Sequence, residues 1–539
     1  MRGKEKIIWF DTEDNSRDLQ TNSNKTRQVT AIAARTSTGR EYFSNKPVVC
    51  VETFKTWLRA QGKCTVVAFN LTYDLGSLFG DSLEELDNAL VLGSKFLEAK
   101  WGDVTFRDAF KLMPMSLATI GDSIGIKKLA FHKSAKAYVM RDVDILKKAW
   151  QGLEEFAEAH GVNKVPFTIG GLAVRIWQAM GGKNWFNNSP AAREFLIGGR
   201  VELFRSFYRG PICYTDINSL YPYCMTLPYP TCAEEVQPRK ALDGFNLVIA
   251  TVKVPNDCFV APLPVHLEDG SVMFPKGEFT GGWTSVELRS AIEHGTKVLK
   301  VHSAWGSKTG ECYYKPFVDK IYAERKASES PSDRLFLKLV MNNLYGKLGQ
   351  QNEGDNLCRL FPMEMMKEGI TRRYGDRVLI PQNYPLRAPV NYVHAAFVTS
   401  YGRVELFKYL SQLGERLIYC DTDSVIFTGK TPPFPISKEL GAMKLEGKHK
   451  FCRTWQPKCY QLDDSFTAKG VPTDKAEEFL TTGKTNYWTP FQLKEALRFY
   501  HRGNKKRLSD WHKVNKKMQT KYEKKTLRGD KYWPCKLEE

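Results

Sequence analysis

The hexapeptide Tyr419-Cys420-Asp421-Thr422-Asp423-Ser424, set between Leu417-Ile418 and Val425-Ile426-Phe427, constrains this chain more than any other segment. Val, Ile, Phe and Tyr on both sides predict the two strands of a β-hairpin. Residues i and i+2 of a strand project to one side, so Asp421 and Asp423 would meet inside an apolar frame. Like charges that close need a cation between them, and a divalent metal supplies it. Two metals so held can clamp the attacking and leaving oxygens of an in-line phosphoryl displacement. A surface turn is the competing reading, because Asp and Thr are common turn residues.

A second segment decides between them. At Tyr214-Thr215-Asp216-Ile217-Asn218-Ser219-Leu220-Tyr221-Pro222 another acid ends a β-like run. Asp216 with Asp421 and Asp423 makes a three-carboxylate set, the hard oxygen donors that Mg²⁺ prefers. Between the two lies Lys338-Leu339-Val340-Met341-Asn342-Asn343-Leu344-Tyr345-Gly346. Lys338, Asn342 and Tyr345 fall at i, i+4 and i+7 on one helical face, which is polar where a core helix would be apolar.

In this order the three segments resemble motifs A, B and C of the family B DNA polymerases: D-x-x-S-L-Y-P, K-x-x-x-N-x-x-Y-G and Y-x-D-T-D-S. Asn343 stands where the family usually has Ser. The resemblance implies that Asp216 and Asp423 bridge two Mg²⁺, with Mn²⁺ as a substitute, and that Asp421 is the third carboxylate. It implies that Lys326, Arg334 and Lys338 hold the triphosphate of an incoming dNTP with Asn342, Tyr345 and Gly346; Lys326 has a solvated charge as its competing reading. Tyr221 would stack beneath the sugar and clash with a 2′-hydroxyl, a gate favouring deoxyribonucleotides.

Composition agrees. At 539 residues with 42% hydrophobic residues the chain can hold three or four domains with sizeable cores. A formal charge of +19 implies a polyanionic partner. Nucleic acid is favoured over a membrane, because no stretch approaches 18 apolar residues. The N-terminus lacks the long apolar run of a signal peptide before Asp11. Twelve cysteines without a C-x-x-C pair suggest neither a zinc site nor a disulfide framework, so the chain is expected to work reduced, in the cytoplasm.

Residues 1 to about 150 alternate β-like runs with helical patterns, which reads as α/β. Asp11 and Glu13 share a strand face, Asp74 closes Asn70-Leu71-Thr72-Tyr73-Asp74, and Tyr138 and Asp142 stand one helical turn apart. These resemble the three motifs of the DnaQ-like 3′-5′ proofreading exonuclease, whose fold is RNase H-like. The resemblance assigns metal ligation to Asp11, Glu13, Asp74 and Asp142, water orientation to Tyr138, and single-strand contacts to Asn70, Tyr73, Ser116 and Leu117. Lys128 is a candidate accessory lysine, with Lys127 and Lys133 as alternatives and a plain solvated lysine as another.

Further on, Gly198-Gly199-Arg200 permits close backbone approach to a phosphate chain, with Arg200 as its charge. It resembles the family's Y-x-G-G motif without the tyrosine; a simple loop is the alternative. Thr399-Ser400-Tyr401-Gly402-Arg403 resembles T-x-x-G-R and Lys458-Cys459-Tyr460 resembles K-x-Y, which implies that Thr399, Arg403, Lys458 and Tyr460 grip primer and template. From Arg498 to Lys531 thirteen Lys or Arg stand against three acids, interleaved with Phe499, Tyr500, Trp511 and Tyr522. That suits a thumb along duplex phosphates, or else a solvated helical face.

The resemblance covers nearly the whole chain, which begins at the exonuclease and ends at the thumb, as in the small protein-primed replicases of bacteriophages and linear plasmids. The expected fold is α/β plus α+β: an RNase H-like exonuclease domain (1–190), palm with motif A and a terminal-protein-contacting insertion (191–315), fingers (316–350), palm with a second insertion, motif C and K-x-Y (351–470), and a basic thumb (471–539). The resemblance further implies a monomer that displaces strands and takes a separate terminal protein as primer. A conventionally primed polymerase, an RNA-synthesising palm and a non-catalytic nucleic-acid binder are the alternatives; Tyr221 and the exonuclease acids count against the palm of the RNA type.

Overall fold

A computed structural model describes residues 6–15, 28–46, 50–80, 85–132, 135–183, 190–350, 357–362, 372–374, 377–381, 390–490, 511–518 and 522–537. Lys133, most of the second insertion, and Arg498 to Asp510 with Phe499 and Tyr500 lie outside these residues.

The first β-like run, Ile7–Asp14, carries three consecutive buried apolar residues and extends through the acids rather than stopping at them. It pairs antiparallel with Val29–Thr36 and parallel with Cys64–Ala68, which pairs parallel with Val104–Asp108. With Glu41–Ser44 beyond Val29–Thr36, this is the five-stranded order of an RNase H-like sheet. The helix Lys136–Ala159 covers one face, burying Val139, Val143 and Leu146. Helices Cys50–Arg59 and Leu71–Phe79 cover the other, where Phe10, Phe54 and Phe106 pack.

One strand pairing departs from the expected partition. Leu357–Pro362, from the second insertion, pairs with Asn88–Leu92 and with Arg377–Pro381, so the insertion extends the first domain's sheet to ten strands. Cys358 and Leu360 bury their side chains in that domain's core. Their alternation, Leu-Cys-Arg-Leu-Phe, marks a strand with one apolar face but carries no sign of which edge it joins.

The palm is a seven-stranded antiparallel sheet in the order Ser465–Ala468, Cys459–Leu462, Met443–Gln456, Phe207–Ile217, Ser424–Thr428, Leu417–Asp421, Val201–Leu203. The motif C strands form the predicted hairpin, Cys420 opposite Val425 and Asp421 opposite Ser424. The helix Tyr392–Leu413 lies behind it, buried along most of its length. Residues 234–307 form a separate four-stranded antiparallel sheet with the helix Ser285–Glu293 and its own core around Trp283. Lys315–Ala327 and Pro331–Leu348 are the two helices expected for fingers, the second capped by Ser330 and opened by Pro331.

Among the described residues, the C-terminal region holds the helix Thr473–Thr482 followed by two strand pairs. Lys484–Pro490 pairs with Trp511–Lys517, and Lys525–Arg528 with Lys531–Pro534. The last hairpin folds back on the palm: the Tyr532 amide donates to the Phe204 carbonyl at 2.9 Å. Lys525 is buried with its Nζ 3.2 Å from Glu202 and 3.6 Å from the centroid of the Phe204 ring. Lys524 donates to the Val272 carbonyl at 2.8 Å, and Tyr522 packs on Tyr532 beside the palm. These residues of the basic stretch are engaged within the protein. No helix is long and apolar enough to cross a membrane among the described residues.

Candidate active sites for nucleotide chemistry

Strand register builds the palm site. Asp216 ends the central strand opposite Ser424, and the Ile217 amide donates to the Asp423 carbonyl at 2.7 Å. The two motif C acids flank Thr422, whose positive φ of 61° makes the turn. Burial, then the charge of Asp423 and that of Glu446, lift Asp216 from the ordinary carboxylate range to about 7, opposed by Lys338 and Lys444. Asp423 is raised by burial and by Asp421, and lowered by a backbone hydrogen bond, Lys338 and Lys458. Two acids that resist ionising together are a divalent-cation site in waiting.

Asp421, the third carboxylate expected at the metal site, has a lysine beside it. Lys458 Nζ lies 2.6 Å from both of its carboxylate oxygens, so its charge is already neutralised. Lys458 itself sits at φ 63°, its amide donating to the Tyr419 hydroxyl at 2.8 Å. Tyr460 stacks near Tyr419, centroids 5.2 Å apart. The K-x-Y pair therefore braces the motif C hairpin.

Tyr221 lies against Tyr345, ring centroids 4.6 Å apart. A Cβ on Gly199 would stand 2.9 Å from the Tyr221 hydroxyl and 2.8 Å from the Thr422 methyl, and one on Gly402 3.1 Å from the Tyr221 ring. Glycine is required at 199 by close approach, as the sequence suggested, but the approach is to the protein's own site. Lys338 faces the acid pair, and Asn342 holds a buried side-chain oxygen with no hydrogen-bond partner among the described residues. Gly346, by contrast, is exposed at the end of this helix face.

Three expected contacts, those of Arg200, Arg403 and Thr399, are corrected by burial, while Lys326 and Arg334 are exposed with partners in the protein. Arg200 is 1% exposed, paired with Glu202 through Nε at 2.5 Å and stacked 4.0 Å from the Phe274 centroid, so it cannot reach a phosphate. Arg403 is buried against Glu287, and Thr399 donates to backbone carbonyls of its own helix. Lys326 is exposed and paired with Glu439 at 2.7 Å, and Arg334 donates to the Ser328 carbonyl at 2.6 Å, tying one helix end to the next. Basic residues score as phosphate ligands in a sequence whether they face a groove or a buried acid.

The second site forms in the first domain. Ligand oxygens of Asp11, Glu13 and Asp142 lie within 4.8 Å of one another, in a cleft of about 560 Å³ that also exposes Asn70, Tyr73, Leu117, Lys128 and Tyr138. Asp11 Oδ2 and Asp142 Oδ1 are buried without a hydrogen-bond partner among the described residues. Burial, then Asp74, Glu13 and Asp142, raise Asp11 well above the ordinary carboxylate range. Such a donor set fits a hard divalent ion. Asp74 is buried behind it, accepting from the Thr12 amide at 3.2 Å and hydroxyl at 2.8 Å. Of the two candidate lysines among the described residues, Lys128 is the one hydrogen-bonded to Asp142 and set against the Tyr138 ring. Ser116 caps the helix Leu117–Ser123, which turns Leu117 to the cleft.

Two residues here escaped the sequence reading. Lys95 enters the cleft and donates to Asn70 Oδ1 at 3.1 Å, its ammonium disfavoured chiefly by burial. Asp108 accepts from the amides of Asn70 and Leu71, both at 3.0 Å, and so holds Asn70 at its φ of 72°. An acid at the end of the strand Val104–Asp108 was the available signal. Of the five non-glycine residues with positive φ among the described residues, Asn70, Ser219, Thr422 and Lys458 belong to the two sites and Asp463 to a hairpin turn; such backbone costs about 1–3 kcal/mol each.

Comparison with known proteins places this arrangement. The fold is that of a solved bacteriophage Phi29 DNA polymerase complexed with primer-template DNA, with a TM-score of 0.71 at 16% identity, covering 95% of this chain and 99% of that one. The sequence matches the family DNA polymerase type B, organellar and viral, over residues 122–387. Among curated relatives, the DNA-directed DNA polymerase of Enterobacteria phage PRD1 is 24% identical over 387 residues, 66% of each chain. A probable DNA polymerase of Agaricus bitorquis is 25% identical over 50% of this chain and 39% of its own length. The DNA polymerase of Bacillus phage Nf is 25% identical over 52% of this chain and 48% of its own. The chain thus spans between about a third and two thirds of these relatives. Over residues 122–387 the chain is similar to the type B DNA polymerases of the organellar and viral kind.

Proposed function

We propose that this chain is a DNA-directed DNA polymerase with 3′-5′ proofreading exonuclease activity, acting on primer-template DNA and dNTPs. The observation that carries the reading is the convergence of Asp216 and Asp423 at the end of one sheet, with Lys338 facing them and Tyr221 held against Tyr345 beside them. Asp216 and Asp423 would hold Mg²⁺, with Mn²⁺ as a substitute; bound there, the ions lower the pKa of a primer 3′-hydroxyl and neutralise the leaving pyrophosphate. Lys338 adds positive charge where the triphosphate would lie, and Asn342 offers a buried acceptor beside it. The Tyr221 ring, walled by Gly199, Gly402 and Tyr345, cannot swing away from a ribose 2′-hydroxyl.

In the cleft of the first domain, Asp11, Glu13 and Asp142 would hold the second divalent site, with Asp74 behind them orienting Thr12. Tyr138 orients the attacking water, and Lys128 opposes the burial that raises Asp142. Asn70, Tyr73, Leu117 and Lys95 line the route of a single strand. Priming from a hydroxyl of a separate terminal protein and displacement of a downstream strand belong to the same proposal. They are supported by the unit 234–307 between motifs A and B and by the insertion strands docked on the exonuclease sheet. Primer extension and degradation by site-specific variants test the two activities; a variant lacking residues 352–385 that displaces strands normally would sink the displacement part.

A further inference from the structure

Glu287 belongs to none of the motifs and lies outside the palm, in the first turn of the helix Ser285–Glu293, yet it is 3% exposed and carries a charge. Its carboxylate is fully engaged. Arg403 grips it in a two-pronged pair, Nε to Oε1 at 2.6 Å and Nη2 to Oε2 at 2.9 Å. Ser400, which accepts from Thr284 at 2.9 Å, donates to Oε2 at 2.7 Å. The remaining guanidinium nitrogen of Arg403 donates to the carbonyls of Ile197 and Gly198, the latter at 2.9 Å.

Those carbonyls belong to the loop that touches the candidate gate. The next residue, Gly199, has its Cα turned so closely to Tyr221 and Thr422 that an added Cβ would fall 2.9 and 2.8 Å from their side chains. The loop then bonds to the acidic turn through the Thr422 amide and the Arg200 carbonyl at 2.7 Å. On the other side of the Tyr221 ring stands Gly402, the residue preceding Arg403. Two of the ring's walls are thus set by where the Arg403 guanidinium rests, and Glu287 sets where it rests. A planar fork held at both ends has one orientation.

We propose that Glu287 is a positioning residue for sugar discrimination, acting through Arg403 and the loop Ile197 to Gly199 on the Tyr221 gate. The inference rests on the polymerase reading above. Without the carboxylate, the guanidinium loses its anchor and the loop its support, and the ring gains room toward a 2′-hydroxyl.

The test is single-nucleotide incorporation on a primer-template with Mg²⁺, giving kcat and KM for a dNTP and the matching rNTP. It compares the wild type with Glu287→Gln, Glu287→Asp and Ser400→Ala, each checked by thermal melting. The expected result is a fall of about ten-fold in the dNTP-over-rNTP ratio of kcat/KM for folded Glu287→Gln, the equivalent of about 1.4 kcal/mol. That fall should come from a gain with the rNTP, with partial return in Glu287→Asp. A merely structural residue would lower both substrates alike. A folded Glu287→Gln with the wild-type ratio overturns the inference; should that variant fail to fold, an unchanged ratio in Ser400→Ala overturns it instead. No incorporation by the wild type would overturn the polymerase reading itself, a result distinct from either.

Discussion

Lys458 Nζ lies 2.6 Å from each carboxylate oxygen of Asp421, so one of the two motif C acids already has its counter-ion within the protein. The chain brings three acids to the palm's edge and neutralises one itself. Asp216 and Asp423, both raised by burial, are the members of the set without such a lysine contact.

Removal of that ammonium should expose Asp423 to a second uncompensated charge. Lys458→Ala is expected to lower primer extension about 10–100-fold, the usual effect of losing a partner that orients a site. Degradation of a single strand by the same protein should be unchanged. Equal loss of both activities would contradict the assignment.

The raised Asp216 makes stability and metal binding depend on pH. Its folded pKa of about 7 lies above the ordinary value of 3.8, so its contribution is present in full below about pH 4 and lost as pH rises through 7. A divalent ion favours the ionised form and should restore that loss. In an Asp11→Ala background, which weakens the other site, Mg²⁺ is expected to raise the melting temperature little at pH 5 and clearly at pH 8. Asp216→Asn should abolish the difference; equal Mg²⁺ shifts at the two pH values would count against the site.

Arg200 separates a structural cation from a DNA contact. Buried between Glu202 and the Phe274 ring, it should cost about 3 kcal/mol of stability when changed to Ala. The slope of log affinity for primer-template against log salt should not move. A residue holding a phosphate would lower that slope by about one.

Lys128 is expected to serve the first domain alone. With its ammonium on Asp142, Lys128→Ala should reduce single-strand degradation about 10–100-fold and leave dNTP incorporation at the wild-type rate. Lys127→Ala, whose ammonium does not line the cleft, is the matched control.

The acids were legible because two of them within an apolar hairpin are costly without a function, although Asp421 ends its strand and Asp423 lies in the turn, and the pairing that brings Asp216 opposite Ser424 joins strands distant in sequence. Strand and helix patterns in residues 1–190 were legible for the same reason, each burying one apolar face. What stayed hidden depends on partners distant in sequence. Arg200, Arg403, Lys326 and Arg334 read as cations for phosphate, and only the fold puts Glu202, Glu287, Glu439 and the Ser328 carbonyl against them. The strand Leu357–Pro362 shows its apolar face but not the sheet edge that receives it. The C-terminal cations suggested a thumb along duplex phosphates, whereas Lys525 is buried in a hairpin against Glu202.

The most direct measurement is extension of a 5′-labelled primer on a template carrying a downstream blocking strand, in Mg²⁺, with and without dNTPs, by the wild type, Asp423→Ala and Asp11→Ala. Growth with dNTPs abolished only by Asp423→Ala, and degradation without them abolished only by Asp11→Ala, is the predicted result. Growth that survives Asp423→Ala, or degradation lost only with Asp423→Ala, would contradict two separate carboxylate sites in this chain.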